Sequence, residues 1–327
     1  MARSPAMTLP LPHYPLAHGV TTLDTEFLRP GLVGSHLLVE GDRAALIDVG
    51  VAKTAPRLLA TLDALAIPRE AVDYVIVTHV HMDHGAAAGS LLQALPNARV
   101  VVHPQGARHL VDPSKLLAGS NAVYGEAVVR ERFGTMLPCP PARIIEAPDD
   151  TVLELAGRPL RFVDTPGHAR HHFCVVDETS QGIFTGDTFG LSYRELDSPQ
   201  GPFIFPTTTP VQFDLAAAHA SLDRLLAFQP HCLYLTHFGQ VREVERLAIT
   251  LHRQLDDMVA LAKTCPGEGQ QRHHHLVKAL TNYLLAQIAA HGSPLTGQPL
   301  VDLIAMDMEL NSQGLAIWLN RANASKG

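Results

Sequence analysis

Cysteine is scarce in this chain, which has 4 cysteines in 327 residues and no C-x-x-C pair. A pair with that spacing is typical of a zinc site or of a dithiol redox centre. Its absence argues against a cysteine-ligated zinc site and against a dithiol redox centre, and predicts reduced thiols at every cysteine. The cysteines are Cys139, Cys174, Cys232 and Cys265.

Positive charge is also in short supply. Lysine and arginine total 25 against 32 aspartates and glutamates, which gives a net charge of -7. A broad phosphate-binding surface needs clustered basic residues, and no long basic block occurs in the sequence. We therefore expect a small-molecule substrate and no nucleic-acid partner.

A long apolar run is missing as well. No stretch approaches the roughly 20 apolar residues of a transmembrane helix, so no membrane partner is expected. Residues 1–20 contain prolines at positions 5, 10, 12 and 15 and lack the basic region and apolar core of a secretory signal. A soluble, cytoplasmic protein is the resulting prediction.

The chain does have enough apolar material for a large core, since 46% of its residues are hydrophobic. Short apolar runs bounded by turn residues alternate with segments of helical periodicity, which is typical of an α/β fold. We predict helices at residues 55–65, 85–95 and 213–228, and strands at residues 37–40, 44–48, 72–77, 99–103, 142–146, 151–155, 160–163, 173–176, 182–185 and 232–236.

The C-terminal part has a different pattern. Beyond Gly239 the periodicity predicts helices only, at residues 241–263, 276–291 and roughly 300–318. We therefore predict a catalytic domain at residues 1–240 and a helical C-terminal extension at residues 241–327, packed on that domain. Residues 191–210 contain four prolines and no regular period, as expected of a lid or binding loop.

The most informative stretch is Thr78-His79-Val80-His81-Met82-Asp83-His84, which follows the predicted strand at residues 72–77. Its four ligand-type side chains would be costly to bury near a core without a cation. Side chains two apart in an extended backbone point the same way, so His79 and His81 can bind one ion. A turn at Met82 can direct Asp83 and His84 to a second position.

Other predicted strands also end in polar residues of this kind. Asp48 ends a predicted hairpin, His168 follows residues 160–163, Asp187 follows residues 182–185, and His237 follows residues 232–236. Asp48 alone could equally be a turn residue before Gly50. Repetition at several strand ends favours a shared metal site.

Four motifs occur in a set order: T-H-V-H-M-D-H at 78–84, T-P-G-H at 165–168, F-T-G-D-T at 184–188 and L-T-H at 235–237. This combination strongly resembles the metallo-β-lactamase-fold hydrolase superfamily, over residues 32 to about 239. The resemblance implies a four-layer αβ/βα sandwich with metals at one edge of the two packed sheets. The first motifs are similar to those of the glyoxalase II and lactonase-like branch, with a helical C-terminal extension added.

The resemblance also implies which residues bind metal. One ion would be held by His79, His81 and His168, and the other by Asp83, His84 and His237. Asp187 would bridge the two ions, with a hydroxide shared between them. Asp48 would orient a ligand histidine through a hydrogen bond.

Such a site suits a hydrolase that attacks an ester, thioester or lactone carbonyl. Two divalent ions lower the pKa of bound water from 15.7 to about 7, and Asp83 would orient the resulting hydroxide and move its proton. Zinc is the first expectation, although iron and manganese accept the same ligands. Tyr193 is a weaker catalytic candidate, because lactonases of this fold use a nearby tyrosine.

Alternatives remain within the same family. A non-haem diiron module that binds oxygen or acts as a redox partner or sensor would use similar ligands. Flavodiiron proteins usually carry Glu where this chain has His81, which favours hydrolysis. The segment after Asp187 differs from that of glyoxalase II, which argues against a glutathione thioester. His171 and His172 could line the pocket or support the site, and the resemblance allows a homodimer.

Overall fold

The computed structural model describes residues 8–208 and 211–324. The chain forms two compact units. The first comprises residues 1–164 and 173–186, and the second comprises residues 165–172 and 187–327. The predicted domain boundary after residue 240 falls within the second unit and stays a prediction.

The first unit contains a seven-stranded sheet whose strands follow one another in chain order. The first four strands pair antiparallel, and the last four, beginning with the fourth, pair parallel. The strands are β1 (His13–Pro15), β2 (Val20–Asp24), β3 (Gly34–Glu40), β4 (Arg43–Ile47), β5 (Val72–Val77), β6 (Arg99–Val102) and β7 (Ile144–Glu146).

Helices of the first unit lie mainly in the connections between its parallel strands, because a parallel pair requires a crossover. One helix connects β4 to β5, two short helices follow β5 directly, and the remaining helices lie between β6 and β7. The helices are α1 (Ala55–Ala64), α2 (Met82–Gly85), α3 (Ala88–Ala94), α4 (Pro104–Val111), α5 (Ser114–Tyr124) and α6 (Glu126–Val128).

The core of this unit is an apolar layer between the sheet and its helices. Leu58 and Leu62 on α1 and Leu91 on α3 are completely buried, together with Val75 and Val77 on β5. Burial of an aliphatic side chain of this kind contributes about 1.5–3 kcal/mol. The sheet edge at the end of β5 therefore stands on a rigid, close-packed base.

A second group of strands in the first unit is a consecutive antiparallel meander. Asp177 at the end of its third strand accepts hydrogen bonds from the buried guanidinium of Arg158. The strands are β8 (Thr151–Leu155), β9 (Arg158–Asp164), β10 (Phe173–Asp177) and β11 (Gly182–Gly186).

The second unit is mostly helical. It also contains an antiparallel pair of strands joined through residues 236–238. Its elements are α7 (Leu215–Leu226), β12 (Cys232–Leu235), β13 (Gly239–Val241), α8 (Val244–Thr264), α9 (Gly269–His291) and α10 (Gly297–Ala324). Of the helices described, none combines the length and apolarity that crossing a membrane requires.

Three strands were not predicted from the sequence. The pattern beyond Gly239 predicted only helices, and β13 corrects that expectation. Its three residues are too short for a period of two to be recognised, and it forms only by pairing with β12. Strands β1 and β2 are likewise short or rich in threonine, and their antiparallel pairing creates the regular structure.

Candidate metal centre

The ligand candidates of the first unit are organised by a buried carboxylate. Asp48 follows β4 and is fully buried. Parallel pairing of β4 with β5 brings Ile47 level with Ile76, which places Asp48 beside Thr78 at the neighbouring strand end. Its Oδ1 accepts from the Thr78 amide at 2.9 Å, and its carboxylate also accepts from the Thr78 hydroxyl.

The same carboxylate holds one histidine. Nδ1 of His84 lies 2.7 Å from Oδ2 of Asp48, with both side chains completely buried. Because a carboxylate only accepts, Nδ1 carries the proton, and Nε2 of the neutral ring has the lone pair that binds metals. Asp83 lies on the same short helix, with Oδ2 3.7 Å from Nε2 of His84.

A second pair in this unit is formed by His79 and His81. Nε2 of His79 lies 2.8 Å from Nδ1 of His81. Nδ1 of His79 is 3.2 Å from the Thr78 hydroxyl. Ligand nitrogens of two rings therefore converge on one point, while Asp83 and His84 are grouped separately. Strand geometry produces this division, because His79 and His81 precede α2 whereas Asp83 and His84 lie within it.

The second unit contributes a carboxylate flanked by two histidines. Oδ2 of Asp187 lies 3.4 Å from Nε2 of His168, and Oδ1 of Asp187 lies 3.5 Å from Nε2 of His237. Each oxygen thus faces a different imidazole. All three side chains are at least nine-tenths buried. One carboxylate whose two oxygens face two different histidines is the arrangement expected of a bridging aspartate.

His172 supports the position of Asp187 by a hydrogen bond to its backbone. Its Nε2 accepts from the backbone amide of Asp187 at 3.2 Å. Its Nδ1 therefore carries the proton and faces the hydroxyls of Thr165, at 2.9 Å, and Thr188, at 3.1 Å. The sequence had left His172 as either a pocket residue or a support, and these contacts are those of a support. His171 is also buried.

Threonines next to the ligands were not predicted as part of the site. Thr78 connects His79 to Asp48, and Thr165 and Thr188 bind the ring of His172. Thr78 directly precedes His79 and Thr188 directly follows Asp187, and this position was a signal in the sequence. Its meaning depends on hydrogen bonds between distant segments, so the residue type alone did not identify it.

Residues 191–208 of the predicted lid are held by contacts within the second unit, and residues 209 and 210 lie outside the described residues. Leu191 pairs with Phe205 through backbone hydrogen bonds in both directions. The hydroxyl of Tyr193, which is completely buried, donates to the carboxylate of Asp307 on α10 at 3.1 Å. A catalytic role for Tyr193 stays a prediction.

Two charged groups in this segment, Arg194 and Asp197, are partly buried, with side chains 35% and 38% exposed. Desolvation lowers the pKa of the Arg194 guanidinium, opposed by the negative charge of Asp197, and desolvation raises the pKa of the Asp197 carboxyl, opposed by Arg194. Their closest atoms are 3.5 Å apart. Each charge therefore offsets part of the desolvation of the other.

A small cavity of about 20 Å³ lies in the second unit beside His168 and Asp187. That volume is enough for about one water molecule. Its remaining walls are mainly apolar and come largely from α7 and α8. They include Pro166, Pro206, Ala218, Leu222, Leu251 and Leu255.

The seven predicted ligands fit divalent metal ions by their chemistry. Imidazole and carboxylate are the donors that zinc, iron and manganese accept. The hydrogen bond from His84 to Asp48 leaves the opposite ring nitrogen as a donor to metal, and the bonded carboxylate makes that imidazole a stronger ligand. By unit, the ligands divide into His79, His81, Asp83 and His84 in the first and His168, Asp187 and His237 in the second.

Comparison with known proteins relates most of this chain to one family. A family model described as the metallo-beta-lactamase superfamily matches residues 28–237. A metallo-beta-lactamase fold-containing protein of Sulfurisphaera tokodaii is 27% identical over 227 residues, which cover 68% of this chain and 78% of that protein. The region that the family model matches, residues 28–237, contains all seven predicted ligands.

Solved structures resemble this fold over a longer range. The crystal structure of an archaeal metallo-beta-lactamase superfamily protein from Sulfolobus tokodaii superposes with a TM-score of 0.64 at 23% identity. It covers 92% of this chain and 99% of that one. The predicted fold class is thereby confirmed: an α/β, αβ/βα sandwich with a helical C-terminal extension.

Another relative is named as a different kind of protein. A putative diflavin flavoprotein of a Nostoc species is 27% identical over 172 residues, covering 52% of this chain. The match spans only 26% of that flavoprotein. Proteins related to this chain thus differ in domain composition around a shared segment.

Proposed function

Because this chain belongs to the metallo-β-lactamase superfamily, we propose that it is a dinuclear metal-dependent hydrolase acting on an ester, thioester or lactone carbonyl. The observation that carries the proposal is the position of Asp187, whose two oxygens face different histidines. A carboxylate placed in this way suits two ions better than one.

The ligand groups of the first unit support the same division. His79 and His81 converge on one point, while Asp83 and His84 form a second group. In the proposed site one ion is held with the help of His168 and the other with the help of His237. Asp187 would help to hold both ions. We propose zinc as the metal, since neutral imidazoles dominate the ligand set.

When bound, the two ions supply an activated water and polarise the substrate carbonyl. Asp83 accepts and transfers the proton. Its side chain is 27% exposed, whereas those of Asp48 and Asp187 are buried. Asp48 acts through His84, whose ring it orients. No nucleic-acid or membrane partner is part of the proposal.

A diiron redox or sensor module is the second candidate, and similarity to the Nostoc diflavin flavoprotein favours it. His81 favours hydrolysis, because flavodiiron proteins resembling this chain usually have Glu there. The two candidates differ in spectroscopy. A diiron centre would give an absorption band that bleaches on reduction, whereas a zinc enzyme is colourless.

The proposal is tested by metal content and turnover of the full-length protein. We expect about two tightly bound ions at this site and hydrolysis of at least one member of a panel of esters, thioesters and lactones. Asp83→Asn should lower kcat by about 100-fold or more while retaining one or both ions. Asp42→Asn, at an exposed turn of the same unit, is the matched control and should leave kcat unchanged.

Two results would contradict the proposal. The first is well under one metal ion per chain after purification without chelators. The second is a reducible iron chromophore together with no hydrolysis of any substrate in the panel. If turnover were present but unchanged in Asp83→Asn, the hydrolase would stand and Asp83 would lose its assigned role.

A further inference from the structure

A second group of histidines and aspartates lies on α7 and α8 of the second unit. Each helix carries a histidine followed four residues later by an aspartate: His219 and Asp223 on α7, and His252 and Asp256 on α8. Residues four apart lie on the same face of a helix. The two faces meet, so the four side chains form one cluster, which we call the helix-pair cluster.

The contacts in the helix-pair cluster are crossed. Nε2 of His219 lies 3.1 Å from Oδ1 of Asp256, and Nε2 of His252 lies 3.2 Å from Oδ1 of Asp223. The two Nδ1 atoms lie 2.6 Å from each other. The imidazole planes are parallel within 1°. The groups form a chain of carboxylate, imidazole, imidazole and carboxylate.

The proton positions follow from these contacts. A carboxylate only accepts hydrogen bonds, so Nε2 of each ring carries a proton. In a neutral imidazole the other nitrogen then has a lone pair. The lone pairs of His219 and His252 thus point at each other across 2.6 Å. Such an arrangement requires a cation between the two nitrogens, either a shared proton or a metal ion.

The carboxylates prepare the rings for a metal. An imidazole whose outer N–H donates to a carboxylate is fixed in tautomer and orientation and is a more basic ligand. Both His219 and His252 have this support. The two aspartate charges also balance a divalent ion, whereas a single shared proton leaves the cluster with a net charge of -1. We propose that the helix-pair cluster is a further metal site, selective for zinc, copper or nickel ions.

The geometry accommodates the ion with a small adjustment. At a Zn–N distance of about 2.0–2.1 Å, tetrahedral coordination places two nitrogens roughly 3.3 Å apart. The Nδ1 atoms, now 2.6 Å apart, would therefore move apart by about 0.7 Å, and the two rings would turn so that their lone pairs converge on the ion. The two side chains are 25% and 27% exposed, so they have room to move, and water completes the coordination.

Metal binding at this cluster would restrain the two helices that line the cavity beside Asp187. Ala218 directly precedes His219, and Leu251 directly precedes His252; both line that cavity. An ion bridging the two histidines would restrain the separation of α7 and α8. The site is built from residues other than the seven proposed catalytic ligands, so its existence does not depend on the proposed function.

Zinc titration of the chelator-stripped, full-length protein tests the proposal. Calorimetry and elemental analysis should find one zinc per chain more in the wild type than in the double variant His219→Gln/His252→Gln. Binding at the remaining sites should be the same. His274→Gln, at an exposed position on α9, is the matched control and should keep the wild-type stoichiometry.

A second variant tests the support by the carboxylates. Asp223→Asn/Asp256→Asn should keep the additional zinc but weaken its binding by about 10- to 100-fold. With copper ions, electron paramagnetic resonance should show coupling to two nitrogens in the wild type, and this signal should be lost in the histidine double variant. Circular dichroism establishes that each variant is folded.

The proposal is overturned if the histidine double variant binds as much zinc as the wild type. It is also overturned if the wild type shows no copper signal beyond that of the double variant, because a shared proton then accounts for the cluster. Should the histidine variant fail to fold, unchanged zinc affinity in the asparagine variant would overturn the proposed ligand support and with it the site.

Discussion

Two histidine pairs in this protein bring ring nitrogens within 3 Å of each other, but their surroundings differ. His79 and His81 lie at the end of β5, where His79 is completely buried and Thr78 links the pair to Asp48. His219 and His252 lie on helix surfaces and are about one-quarter exposed. The strand-end pair has a rigid, dry support, whereas the helix-pair cluster is supported by exposed carboxylates.

The difference teaches how support determines the strength of a metal site. A buried polar group must have its partners, because leaving one unsatisfied costs about 1–3 kcal/mol. An exposed carboxylate can exchange its partner for water at little cost. We therefore expect the proposed catalytic site, which includes the strand-end pair, to retain its metals. The helix-pair cluster should exchange its ion readily.

The largest difference is expected from removing the supporting carboxylates. Asp48→Ala deprives the Thr78 amide, the Thr78 hydroxyl and His84 of their acceptor. We expect it to lower the free energy of unfolding of the metal-free protein by about 3–5 kcal/mol. Asp223→Ala, at a side chain 71% exposed, should change it by less than about 0.5 kcal/mol.

Urea denaturation after chelation measures both values without a contribution from bound metal. Equal losses in the two variants would remove the distinction between buried and exposed support. A loss below about 1 kcal/mol for Asp48→Ala would show that water replaces the missing acceptor.

A kinetic difference between the sites is expected next. Excess chelator is added to fully zinc-loaded protein. The ion at the helix-pair cluster should leave faster than the ions of the proposed catalytic site, because His219 and His252 are about one-quarter exposed. A zinc indicator should record two phases. The double variant His219→Gln/His252→Gln should lack the fast phase; release in one phase in both proteins would contradict the comparison.

The smallest effect concerns a hydroxyl beneath the strand-end pair. Thr78→Val removes a donor to Asp48 and should lower the free energy of unfolding by about 1 kcal/mol, with a several-fold loss of zinc affinity. Thr250→Val on α8 is the matched control, since its hydroxyl bonds only a carbonyl of its own helix. Urea denaturation and zinc competition measure both effects, and equal losses in affinity would rule out a specific role for Thr78.

The strand-end motif was predictable because its information is local. An apolar run ends at Val77, and ligand types follow at once, so the sequence indicates both the strand β5 and the site after it. The later motifs at His168, Asp187 and His237 were recognised in the same way. Strand β13 was not, because a three-residue strand acquires its structure only by pairing with β12.

Contacts between distant segments could not be predicted in detail. Asp48 was expected to orient a ligand histidine, but its partner His84 is 36 positions away in the chain, and only the parallel register of β4 and β5 determines which side chains meet. His219 and His252 are 33 positions apart, and each occupies an ordinary polar position on its own helix.

The amino-acid sequence by itself determined the α/β class, the order of the motifs, and the family. These properties depend on short-range patterns: apolar periodicity and ligand types at adjacent positions. Only the tertiary structure decided that Asp187 faces two histidines with separate oxygens, and that His219 and His252 point their lone pairs at one another. Both depend on side-chain directions set by packing, which residue types along the chain do not encode locally.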